Sequence, residues 1–164
     1  VVFVMKKIVI TYQEIVDFSV LSDSDKDLMN RATKIAQSAY APYSAFHVGA
    51  ALILENNHIV VGNNQENSSF PCGICAERVA LFATATNYPN LAIKKIAITA
   101  MSKHFNLESP VGPCGLCRQV LIEYEDKQKL DIEIMLFNTT KVIKIAKAKD
   151  LLPFYFKGEK LKRI

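Results

Sequence analysis

The sequence predicts a single α/β domain, a mixed sheet covered by helices. Two observations carry this. Apolar runs of strand length alternate with helical patterns, in the order helix, hairpin, helix, strand, helix, two strands. The 164 residues also suit one hydrophobic core, with no internal repeat, low-complexity tract or linker to divide them.

The elements follow in order. Ser24 is expected to cap a helix, with Asp27 three residues on and Leu28, Ala32, Ile35 and Ala39 at helical spacing. Tyr40-Ala41-Pro42-Tyr43-Ser44 breaks it. Phe46 to Leu54 reads as a strand, Glu55 to His58 as a turn, and Ile59 to Val61 as the return strand of a hairpin. A polar loop covers Gly62 to Pro71. Cys75 to Thr86, rich in Ala and Leu, reads as a helix closed off by Pro89. Leu91 to Ala100 is apolar and β-prone, a buried strand. A Pro/Gly-punctuated loop, Ser109 to Pro113, leads into a helix from Cys114 to Tyr124. Ile132 to Phe137 and Val142 to Ile145 are two strands around an Asn138-Thr139-Thr140 turn, and Lys149 to Pro153 is a short helical turn. Residues 1–20 stand before this pattern as an extension without an assigned role, and 21–164 form the domain.

Composition excludes some functions. The net charge of +4 is mild, and the lysines are scattered. The one dense basic cluster, Lys157 to Arg163, reads as a solvated tail, so no nucleic-acid partner is expected. No apolar run reaches the roughly eighteen residues of a membrane span. The N-terminal apolar stretch precedes Lys6-Lys7, the reverse of a secretory signal, and Met5 can equally serve as a start. A cytoplasmic protein is expected. In that compartment four cysteines point to metal ligands or free thiols rather than disulfides.

Chemistry concentrates in two segments, Cys72-Gly73-Ile74-Cys75-Ala76-Glu77-Arg78 and Pro113-Cys114-Gly115-Leu116-Cys117-Arg118-Gln119. Two CxxC pairs suggest a four-cysteine structural zinc site. Such sites close with roughly fifteen to twenty residues between pairs, whereas 38 residues separate Cys75 from Cys114. In a catalytic site Cys75, Cys114 and Cys117 bind the metal and one position stays open for water. Cys72 then remains a free thiol. Glu77, two residues after a ligand at a helix start, can reach that water without binding the metal. Taken alone, Glu77 would equally be an acidic residue complementing a helix dipole.

Ligand-Ala-Glu followed by Pro-Cys-x-x-Cys is the signature of zinc nucleobase deaminases, here with cysteine as the first ligand. The sequence resembles the small, homotetrameric cytidine deaminases whose zinc has three cysteine ligands. The resemblance runs from Tyr40 to Phe156. It includes Tyr40-Ala41-Pro42-Tyr43-Ser44, Phe46-x-Val48-Gly49-Ala50-Ala51-Leu52, Asn64-x-Glu66-Asn67, Cys75-Ala76-Glu77-Arg78, Pro113-Cys114-Gly115-x-Cys117-Arg118-Gln119-Val120 and Leu151-Leu152-Pro153. It implies a three-layer α/β/α fold with a mixed five-stranded sheet, one Zn²⁺ per subunit, and deamination of free cytidine and deoxycytidine in pyrimidine salvage. A zinc deaminase of another substrate, such as a blasticidin-like compound or a modified nucleoside, is the alternative; a non-enzymatic four-cysteine zinc module is a more distant one.

The resemblance also distributes roles. Glu77 is the proton carrier. Arg78 hydrogen-bonds the zinc-binding sulfurs, drawing off negative charge, and Gln119 is expected to help position Arg78. Asn64 and Glu66, two apart in an extended segment and so on one side of it, bind the ribose 3′-hydroxyl. Phe46 lines the base and sugar pocket, and the Ala76 N–H donates to the cytosine O2. Phe156 enters a neighbouring subunit's pocket and stacks on the base, with the run Phe154-Tyr155-Phe156 leaving its register open. Phe70 stands where the family often has tyrosine. His47, His58 and His104 lack ligand-like spacing and read as structural or solvated.

Overall fold

The structure is a computed structural model that describes residues 2–158 and 161. Of the basic cluster near the C-terminus, Lys160, Lys162 and Arg163 lie outside the described residues. The elements are β1 (Gln13–Ile15), α1 (Asp23–Ala36), β2 (Phe46–Leu54), β3 (Ile59–Asn63), α2 (Ala76–Asn87), β4 (Ile93–Ser102), α3 (Gly115–Gln128), β5 (Glu133–Phe137) and β6 (Val142–Ile145), with short 3-10 turns at Phe18–Val20, Phe70–Cys72 and Ala148–Leu151.

The strands form one mixed sheet in the order β1-β6-β5-β4-β2-β3. Only β4 and β5 run parallel, with α3 as their crossover; the other pairs are antiparallel. The sheet therefore has six strands where five were expected. The sixth comes from the N-terminal extension: Gln13–Ile15 pairs with Val142–Lys144, and Glu14 meets Lys141 at 3.3 Å. Ile15 and Phe18 then pack against the core on the α1 side. Three residues at a sheet edge are too few to show a period in the sequence.

Strand alternation divides the core between the two faces. Ala50, Leu52 and Leu54 of β2 pack with Leu81 of α2 and Leu121 of α3. Ala51 and Ile53 face α1, meeting Leu28, Met29 and Ala32. Two glycines set how closely the helices lie. A Cβ on Gly49 would stand 2.0 Å from the Ala32 carbonyl of α1; one on Gly62 would stand 2.5 Å from the Ala76 carbonyl and 2.6 Å from the Ala80 nitrogen of α2. Gly62 thus seats the first turn of α2 directly on β3.

The first helix begins earlier than Ser24. Ser22 is its cap, accepting a hydrogen bond from the Asp25 N–H at 3.1 Å. Both serines are followed three residues later by an aspartate, so the spacing alone does not choose between them. Asp25 decides the matter, because its buried carboxylate is paired with Lys95 of β4 and Lys144 of β6. No helix among the described residues is long and apolar enough to cross a membrane.

Candidate active site

Helices α2 and α3 both begin on a cysteine. Cys75 is the N-cap of α2 and Cys114 the N-cap of α3, each with extended backbone angles, and Cys117 lies in the first turn of α3. The unpaired N–H groups and positive dipole ends of two helices converge on these sulfurs, which favours thiolate. Cys75 Sγ lies 3.8 Å from Cys114 Sγ, and Cys114 Sγ lies 3.5 Å from Cys117 Sγ. All three sulfurs fall within 4.8 Å of one another. Ligand sulfurs about 2.3 Å from a tetrahedral Zn²⁺ stand roughly 3.8 Å apart, so the donor set and its spacing fit that ion. Cys72 is an exposed thiol at the end of a 3-10 turn and is not part of the group.

The electrostatics point the same way. The Cys75 thiol is pulled down to about 5, by hydrogen bonding with Cys117 first and then with Cys114 and Arg78, against burial. The Cys117 thiol is pushed up, by sharing its proton with the Cys75 sulfur and by burial. Burial works against the charge of Arg78, but its hydrogen bond to Cys75 and the charges on Cys75 and Cys117 raise its pKa overall. The positive guanidinium and the charge on the sulfurs stabilise each other.

Glu77, in the first turn of α2, is 4% exposed. Burial raises its pKa above the ordinary carboxylate value, and the charge on Cys75 adds to this. Among the described residues it forms no ion pair. Cys75, Glu77 and Cys114 line a cavity of about 580 Å³, within the size range of small-ligand sites, whose far side is built from Phe46, Asn64, Glu66 and Phe70. A larger cavity of about 920 Å³ is lined by Phe18, Met29, Phe105 and Asn138 among others; none of the four cysteines lines it.

The remaining expected site residues are placed as follows. Asn64 braces the start of β2: its Oδ1 accepts the Val48 N–H at 2.7 Å and its Nδ2 donates to the Phe46 carbonyl at 2.9 Å. Glu66 accepts from the Tyr43 N–H at 2.9 Å, the Ser44 N–H at 3.3 Å and the Ser44 hydroxyl. These bonds, the Ser44 hydroxyl foremost, hold its carboxyl below the usual range, so it is an anion. Phe46 stacks on Phe105 with ring centroids 6.2 Å apart. Ala76 is fully buried and opens α2, where N–H groups lack intrahelical acceptors. Phe156 is 69% exposed and does not line the cavity of its own chain.

Gln119 departs from its expected role. Its amide is engaged by Phe156 rather than Arg78: Nε2 donates to the Phe156 carbonyl at 3.0 Å and Oε1 accepts the Phe156 N–H at 3.1 Å. One primary amide satisfies both backbone groups at once. Reading the sequence also missed Ser44 and Tyr43, which fix Glu66, and Arg118, which ties the loop before Cys114 to the C-terminal segment. The Tyr40–Ser44 motif was the available signal for the first two.

A mixed sheet carrying two cysteine-capped helices and a buried glutamate beside their sulfurs defines a metal-dependent hydrolytic site. Residues 22–130 match the family model described as the cytidine and deoxycytidylate deaminase zinc-binding region. The cytidine deaminase of Halalkalibacterium halodurans is 37% identical over 132 residues, 80% of this chain and 93% of that one. The crystal structure of the cytidine deaminase from Burkholderia pseudomallei superposes with a TM-score of 0.68 at 37% identity, covering 80% of this chain and 98% of that one. That of Mycobacterium tuberculosis gives 0.63 at 32%, covering 80% and 96%. The chain belongs to the cytidine and deoxycytidylate deaminase family.

Proposed function

We propose that this chain hydrolyses the 4-amino group of free cytidine and deoxycytidine, releasing ammonia and giving uridine and deoxyuridine for pyrimidine salvage. The observation that carries this is Glu77, a buried carboxylate beside three clustered sulfurs in the wall of a nucleoside-sized cavity.

Cys75, Cys114 and Cys117 would hold zinc, which when bound supplies the Lewis acidity that makes water nucleophilic at neutral pH. Arg78 withdraws charge from the sulfurs, offsetting the three thiolates that would otherwise weaken that acidity. Glu77 takes a proton from the attacking water and delivers it to N3 of cytosine while oxygen bonds to C4. It then takes the remaining hydroxyl proton and delivers it to the amine, the C4–N bond breaks, and C4 becomes a carbonyl as ammonia leaves. Burial suits Glu77 to both transfers, since a raised pKa lets one carboxyl group accept and donate.

At the other end of the cavity, Asn64 and Glu66 bind the ribose 3′-hydroxyl. The Glu66 carboxylate is anionic and oriented by Ser44. A 3′-phosphate would bring like charge against it and remove the donor it needs, so polynucleotides and 3′-nucleotides are excluded. Phe46 packs beside the sugar and base, and the Ala76 N–H donates to O2 of the base. The domain spans 21–164, with β1 adding an edge strand. The assembly is a homotetramer in which Phe156 of one copy closes the site of another. Four cysteines without a disulfide among the described residues suit the reducing cytoplasm.

Ultraviolet absorbance with cytidine, deoxycytidine, a cytidine 3′-phosphate and a blasticidin-type compound, each with and without a chelator, tests this reading. Turnover of the two free nucleosides, lost with chelator and restored by Zn²⁺, is expected. Preference for the phosphate or the blasticidin-type compound, or indifference to chelation, would overturn it.

A further inference from the structure

The C-terminal segment is strapped to the helix that carries two of the cysteines. Arg118, next to Cys117, donates from Nε to the Pro113 carbonyl at 2.8 Å and from Nη1 to the Leu151 carbonyl at 2.9 Å. Pro113 directly precedes Cys114. Gln119 then grips Phe156 through both its backbone groups, at 3.0 and 3.1 Å. This copies the two-bond exchange between paired strand residues, and it fixes orientation as well as position.

Between the two clamps the chain reverses at Phe154, whose φ of 59° lies in the left-handed region. A bulky residue persists there only where the surroundings impose the conformation. The reversal sorts the three aromatics. Tyr155 packs against the protein's own core, whereas Phe154 and Phe156 stand out at 94% and 69% exposure. Of the two exposed rings, that of Phe156 is the one whose backbone is held by the strap.

We infer that Gln119 is a positioning residue, assisted by Arg118, that sets the angle at which the Phe156 ring projects toward a neighbouring copy's nucleoside site. This rests on the proposed deaminase reading. It gives Gln119, adjacent to the metal-ligand motif in sequence, a role in completing another subunit's site rather than in tuning its own metal.

The test is a double-mutant cycle on the full-length, zinc-loaded protein. Phe156→Ala is expected to lower kcat/KM for cytidine about 10-fold and Gln119→Ala about 5-fold, both mainly through KM, as loss of an aromatic contact would. Because both act on one contact, the double variant should match Phe156→Ala within about twofold. Zinc content should stay at one per chain, while amide hydrogen exchange at residues 154–158 speeds up at least about 10-fold as the Phe156 N–H loses its acceptor. Gln119→Glu, which keeps the acceptor and loses the donor, should fall between wild type and Gln119→Ala.

Multiplicative losses in the double variant, unchanged exchange, or zinc loss in Gln119→Ala would each overturn the inference. A wild type that does not turn over cytidine would defeat the deaminase reading instead. Hydrogen exchange would still report whether Gln119 holds the tail.

Discussion

Each face of the sheet buries one carboxylate in the first turn of a helix, and the two are used in opposite ways. Asp25 of α1 is 3% exposed and Glu77 of α2 is 4% exposed. Asp25 is met by Lys95 and Lys144, and Lys95 is also paired with Glu133 at 2.9 Å. Burial opposes its charge, but the hydrogen bonds from the two lysines outweigh that, and its carboxyl sits below the ordinary value. Glu77 meets no lysine among the described residues, so burial prevails and its pKa rises. Two carboxylates of similarly low exposure thus end as a fixed anion on one side and a group with a raised pKa on the other. The two lysines that meet Asp25 offset its burial, and Glu77 lacks such a pair among the described residues.

Substitution should widen this contrast. Glu77→Gln is expected to lower kcat about 10⁴-fold, the upper end for proton-transfer catalysis because one group serves both transfers. Zinc content measured by metal analysis should stay at one per chain, and the melting temperature should hold or rise, because a neutral isostere relieves the burial cost. Asp25→Asn should do the reverse. It leaves two lysines facing a neutral group and is expected to cost about 3 kcal/mol in urea unfolding, with kcat within twofold of wild type. Equal effects of the two changes on kcat would erase the distinction.

The glycines under the two helices offer a finer test. Gly49→Ala and Gly62→Ala both force a Cβ into helix backbone, and each should cost about 2 kcal/mol by overpacking. Only Gly62→Ala, which displaces the turn bearing Ala76 and Glu77, should also lower kcat, by roughly 10-fold, as a misplaced catalytic group does. The smallest effect is in acid. Because the folded-state pKa of Asp25 is depressed below 3.8, its stabilising contribution is complete above that pH and is lost as pH falls through the lower folded value. Asp25→Asn should flatten this limb of a stability–pH curve.

The chemistry of this site was legible because it is local. Cys75-Ala76-Glu77-Arg78 and Pro113-Cys114-x-x-Cys117 each sit at a helix start, where sequence spacing translates directly into geometry. Strands β2 and β6 matched their apolar runs for the same reason. The features that stayed hidden depend on distant partners. β1 pairs with an edge offered by β6, where Glu14 meets Ile143, 129 residues further along the chain. Asp25 carries no sequence signal of its ion pairs, which form only when the lysines of β4 and β6 are brought to it by the sheet. Gln119 sits next to a metal motif, yet its partner is a tail 37 residues away. Adjacency in sequence favoured the wrong neighbour.

The two cysteine caps have a further consequence, in chain statistics. Cys75 and Cys114 bracket a 38-residue stretch holding α2, β4 and the loop into α3. An ion shared by their sulfurs closes that stretch into a ring, as a covalent cross-link would, and closing a ring of this size removes about 4 kcal/mol of unfolded-chain entropy in the loop-closure model. The ligands that serve the reaction would thus also shrink the ensemble the chain must leave in order to fold.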